Sequence, residues 1–163
     1  MADSYSIPTS TRIGHVHLKV SDLERALRFY NEILGFEIIQ RFGDEAAFIS
    51  AGGYHHHIGL NTWQSKGGSA PPQNTTGLFH TAIVYPTRKD LAKILKRLLE
   101  NGIQLTGAAD HGVSEALYLN DPDENGVELY WDRPREDWPR DEAGEIEMYT
   151  HRLDLNNLLQ ELA

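Results

Sequence analysis

The chain has 163 residues, 40% of them apolar, a net charge of -9 and no cysteine. The length fits one ordinary domain, and the charge argues against nucleic acid or an anionic membrane as partner, since both reward clustered Lys and Arg. Without cysteine there is no disulfide or thiolate metal site, and no apolar stretch approaches the ~20 residues of a membrane span. A cytoplasmic protein is expected.

Residues 1–11 are polar, with Ser, Thr and Pro, and read as a loose arm. In "RIGHVHLKV", Val16, Leu18 and Val20 share one face of a strand and His15, His17 and Lys19 the other. "SDLERALRFYNEILG" follows as a helix. Ser21 and Glu24 form a capping box, Leu23, Ala26, Leu27, Tyr30, Ile33 and Leu34 form a stripe, and Gly35 ends it. Short apolar runs, "FEIIQRF", "EAAFIS" and "HHIGLN", then predict three strands separated by glycine-rich turns.

"WQSKGGSAPPQNTTG" is turn-rich and separates this unit from a second one with the same pattern. "GLFHTAIVYP" is its first strand. Thr87 caps a helix with Asp90 three residues on, and Gly102 follows its last turn. "IQLTG", "EALYLND" and "NGVELYW" predict three more strands. The fold class is therefore α+β, with two β-α-β-β-β modules at about 12–63 and 77–132 within a domain 12–132. In the tail, 133–163, Asp154 caps a short helix whose Leu155, Leu158, Leu159 and Leu162 pack on the body or on a second subunit.

The polar faces of these strands repeatedly offer imidazole and carboxylate. His15 and His80 open equivalent strands of the two modules, and Glu128 lies between the inward-facing Val127 and Leu129. Two imidazoles and one carboxylate make a facial triad, used for non-haem Fe(II) with positions left open for substrate and oxygen; Mn(II), Zn(II) or Ni(II) can use the same donors. Tyr130 follows Glu128 by two residues and faces the same cleft. Were Tyr54–Leu60 a strand, His55 and His57 would share a face and His56 would turn away.

The stretches "GHVHLKVSDLERALRFYNEILGFE", "LFHTAIVYP" and "LNDPDENGVELYW" resemble the vicinal oxygen chelate superfamily of glyoxalases, bleomycin-resistance proteins and extradiol dioxygenases. The resemblance spans about Arg12 to Asp132 and is greatest to the single-domain catechol 2,3-dioxygenase-like group. It implies a half-barrel around a divalent metal, Fe(II) first, held by His15, His80 and Glu128. It implies a catalytic Tyr118, ten residues before Glu128, a histidine upstream of it matched by His111, and an acid/base matched by His57 with His55 at the rim. His17 and Tyr130 would touch the substrate. The activity implied is extradiol cleavage of a catechol-like aromatic with O2, in a homodimer. Two other activities stay open: a glyoxalase-type lyase or isomerase, with His57 as a fourth metal ligand, and a non-enzymatic binding or resistance protein. Many extradiol dioxygenases carry four modules, where this chain has two.

Overall fold

A computed structural model describes residues 4–163. Its elements run β1 (Val16–Lys19), α1 (Leu23–Leu27), β2 (Glu37–Phe42), β3 (Ala46–Ser50) and β4 (Ile58–Asn61). A second series follows: β5 (Thr81–Val84), α2 (Arg88–Glu100), β6 (Gly107–Asp110), β7 (Ser114–Asn120) and β8 (Gly126–Asp132). A short β9 (His151–Arg152) and α3 (Leu155–Leu159) close the chain. The expected pair of β-α-β-β-β modules is present, one per sheet. The first sheet has the order β1-β4-β3-β2 and the second β5-β8-β7-β6-β9. In each, the first strand lies parallel to the fourth, because a helix crossover returns the chain in that direction.

The helices hold the apolar faces. Thr87 caps α2 by accepting from the Asp90 amide, and Leu91, Ala92, Ile94, Leu95 and Leu98 form its buried stripe. Each fully buried leucine contributes about 1.5–3 kcal/mol relative to exposure. The first helix differs from expectation. Its cap is Asp22, whose carboxylate accepts from the Arg25 amide, while Glu24 pairs with Arg41 instead of closing a capping box. After Leu27 the helix continues with π-type turns over Arg28–Ile33. Gly35 and Gly102 end the two helices at φ +88 and +68.

Three strand expectations shift. The strand predicted from Tyr54 begins only at Ile58, since residues 51–57 form turns. The strand predicted at "IQLTG" pairs instead at Gly107–Asp110, while Ile103 and Leu105 pack against the core without joining the ladder. The tail adds β9 as a fifth strand beside β6. Asp154 caps α3 as expected, and Leu158 is fully buried against the body.

Buried polar groups join the modules. Tyr30, on the first helix, donates to the Asp121 carboxylate at 2.9 Å, and Arg25 reaches Asp123 at 2.5 Å. Burial, then the Asp121 charge, pushes the Tyr30 phenol up, so it stays a donor. Asp121 also accepts from the Asp123 and Asn125 amides, which shapes the turn between β7 and β8. Elsewhere, Glu115 accepts from Arg88 at 2.8 Å and Arg133 at 2.9 Å, and Arg88 continues to Glu161 in the tail.

Candidate functional site

On β8 the side chains alternate. Val127 and Leu129 are buried in the core, which leaves Glu128 and Tyr130 on the open face. Across the ladder Glu128 is opposed by Ala82 on one side and Tyr118 on the other. The small Ala82 leaves room above β5. His80, just before that strand, turns its imidazole across this space, and its Nε2 lies 2.9 Å from Glu128 Oε2. Gly126 makes the approach possible: a Cβ there would sit 2.2 Å from the Phe79 carbonyl oxygen and 3.1 Å from His80 Cβ.

Tyr118 extends the group. Its hydroxyl oxygen is 3.1 Å from Glu128 Oε1 and 2.7 Å from His111 Nε2. Burial, then the Glu128 charge, pushes the phenol up to about 12, so it keeps its proton at neutral pH. One proton cannot serve both neighbours. His111 Nδ1 faces the Tyr149 carbonyl at 3.0 Å, an acceptor only, so Nδ1 carries a proton. A neutral His111 therefore accepts from Tyr118 at Nε2. A doubly protonated His111 donates to Tyr118, which frees the phenol to donate to Glu128. The tail contact that sets this tautomer had no sequence signal of its own, since it is a backbone carbonyl brought in by β9.

The other module contributes histidines. A cleft of about 760 Å³ opens between β1 and β5 and is lined by His15, His57, His80 and Tyr130, among mostly apolar neighbours. Burial and then the Glu128 and Asp132 surroundings raise the Tyr130 phenol, with burial first and Asp132 second. His57 Nδ1 accepts from the Ala51 amide at 3.3 Å and stands 2.9 Å from Ser50 Oγ. With Nδ1 as acceptor, the neutral ring carries its proton on Nε2. His56 was expected to turn outward. Its ring instead lies 4.4 Å from that of His15 and 4.9 Å from Phe48, because the turns over residues 51–57 remove strand alternation. His55 is exposed, with Nδ1 2.7 Å from His56 Nδ1. His17 packs against Phe48 and Trp63; burial, then the charge of His15, lowers its pKa.

The structure thus brings His80, Glu128, Tyr118 and His111 into one continuous line of polar contacts and places His15, His57 and Tyr130 around the adjoining cleft. His15 is not drawn into the His80–Glu128 pair, and no group of three or more His, Asp or Glu among the described residues is gathered to hold a metal. The pair itself suits a divalent ion: an imidazole and a carboxylate 2.9 Å apart have the spacing of neighbouring ligands about 2.0–2.2 Å from one centre.

Comparisons with known proteins agree with this architecture. Residues 12–129 match the model of the "Glyoxalase/Bleomycin resistance protein/Dioxygenase superfamily". A catechol-2,3-dioxygenase of Bacillus subtilis (strain 168) is 44% identical over 156 residues, covering 96% of this chain and 54% of that protein. A biphenyl-2,3-diol 1,2-dioxygenase of Rhodococcus globerulus is 32% identical over 74% of this chain and 63% of its own length. The chain thus spans between half and two thirds of these relatives. Among solved structures, a glyoxalase/dioxygenase from Nostoc punctiforme superposes with TM-score 0.66 at 18% identity, over 82% of this chain and all of that one. A domain from Frankia sp. EAN1pec gives 0.63 at 27% identity, over 77% of this chain and all of that one. The chain belongs to the glyoxalase/bleomycin resistance/dioxygenase superfamily.

Proposed function

We propose that the chain is a metal-dependent extradiol dioxygenase that cleaves a catechol-like aromatic ring with O2. The observation that carries this reading is the line His80–Glu128–Tyr118–His111, a pair of metal donors continued into a proton path. The two ring-cleaving relatives favour the same reaction class. His80 and Glu128 would hold the metal, Fe(II) first, with His15 from across the cleft as third donor. Such a metal would supply Lewis-acid binding of the vicinal oxygens and of O2.

The chain's own groups then handle protons. Tyr118 would act as a relay: as its oxygen takes a substrate hydroxyl proton, its own proton passes to His111 Nε2, which later returns it. His57, which lines the cleft, would stabilise negative charge developing on oxygen through its Nε2–H. Tyr130 and the apolar cleft lining displace water and position the ring.

The tautomer of His57 favours this reading over the glyoxalase-type one. A protonated Nε2 is a hydrogen-bond donor, whereas a fourth metal ligand needs a free lone pair. The test is oxygen uptake by the Fe(II)-loaded chain with catechol, compared with His57→Gln. The expected result is that turnover falls while bound iron is unchanged. Loss of iron in His57→Gln would instead make His57 a ligand and favour the glyoxalase-type site.

A further inference from the structure

Beyond the His15 donor, the open face of the first sheet carries aromatic rings that the ring-cleavage chemistry does not use. They begin at the cleft. The His15 ring lies 4.4 Å from His56, and His56 lies 4.9 Å from Phe48. From Phe48 the series branches to Phe42 at 5.5 Å and to His17 at 5.7 Å, and His17 continues to Trp63 at 5.6 Å. The spacings and tilted or edge-on angles are those of favourable aromatic pairs. Gly59 permits the arrangement: a Cβ there would meet the His17 ring at 2.9 Å, so the imidazole lies flat over β4 only because that position has no side chain.

These rings are not a finished core. Trp63 is 58% and Phe42 52% exposed, and each offers an uncovered face. Single exposed apolar residues need no explanation, but a contiguous aromatic surface ending at a candidate metal donor does. Phe42, Phe48 and Trp63 give this surface apolar ring faces and edges on which an arene can stack, with the His17 and His56 rings packed beside them.

We propose that His56, Phe48, Phe42, His17 and Trp63 form a subsite for an aryl substituent, so that the chain prefers aryl-substituted catechols to catechol itself. The link between subsite and diol rests on the ring-cleavage reading; the affinity of the rings for an arene does not. Each ring–ring contact adds to the affinity on top of burial, so a tenfold preference is expected, which is about 1.4 kcal/mol.

The test is binding to the metal-free chain, followed by calorimetry, with catechol, 4-phenylcatechol and 4-phenylphenol as probes. The last has the aryl extension without vicinal oxygens. Both phenyl-bearing probes should bind at least tenfold more tightly than catechol, and Trp63→Ala and Phe42→Ala should reduce that preference to threefold or less. Both positions are exposed, so the variants should fold normally by circular dichroism. Equal affinity for all three probes, or a preference that survives in both variants, would overturn the subsite. So would a wild-type dimer that these variants split in gel filtration, since the surface would then be an interface. If 4-phenylphenol and 4-phenylcatechol bind alike and neither catechol is cleaved after metal loading, the subsite stands and the ring-cleavage reading fails.

Discussion

Nε2 of His80 stands 2.9 Å from Oε2 of Glu128, across a strand pair whose intervening position is only an alanine. The two residues are 48 positions apart in sequence, and Gly126 lets them meet by leaving no Cβ against the Phe79 carbonyl. His80→Ala removes a donor without touching the core. Metal affinity should fall by more than the ~10–100-fold seen when only an outer partner of a ligand is lost. Titration of the metal-free protein with Mn(II) or Fe(II) reads this directly, and circular dichroism should be unchanged.

Tyr118 has a different part. Tyr118→Phe keeps the ring and deletes the hydroxyl that touches both Glu128 and His111. Metal binding should be retained while kcat for ring cleavage drops by about 10²-fold, the lower end for loss of a proton-transfer group. A parallel loss of metal would mean that the phenol acts by holding Glu128 in place.

Tyr30→Phe tests the junction between the modules. The phenol is fully buried and donates to Asp121, whose carboxylate keeps its two backbone donors and Asn125. Deleting one bond to a buried charge should cost about 1.5–3 kcal/mol, read as a lower urea midpoint with the slope unchanged.

Asp110 gives a pH signature. The Arg133 guanidinium, hydrogen-bonded to it at 2.6 Å, holds its carboxyl below the usual value of 3.8. A carboxyl with a depressed folded pKa adds stability that is complete above its unfolded value and is lost as pH falls through the folded one. Asp110→Asn should therefore be less stable than the parent at pH 7, by about 1–2 kcal/mol, with the gap closing below about pH 3.8. Thermal melts of both proteins from pH 7 to 2.5 check it; a gap that stays constant would place the effect in packing instead of charge.

The fold was legible because its signals are local and repeated. Thr87 with Asp90, the two terminating glycines and the alternation in β1, β5 and β8 each mark an element at short range. The polar-face position of Glu128 followed from a period of two, whereas Tyr118 was implied only by the family resemblance; the ladder sets the two directly opposite each other. What was missed depends on distant chain. Turn geometry before Ile58 put His56, not an outward surface, against His15. The cap moved from Ser21 to Asp22 with both Ser21 groups engaged elsewhere: its hydroxyl accepts from the Arg25 guanidinium and its amide donates to Asp123 of the other module. The Tyr149 carbonyl that fixes His111 arrives through β9, whose pairing with β6 left no pattern in a two-residue strand.

The most direct test of ring cleavage is mass spectrometry of the product formed from catechol by the Fe(II)-loaded chain under isotopically labelled O2. Both atoms of the labelled O2 should enter a ring-opened product, and Tyr118→Phe should form it far more slowly. An intact ring, or an opened product that carries only solvent oxygen, would contradict the assignment.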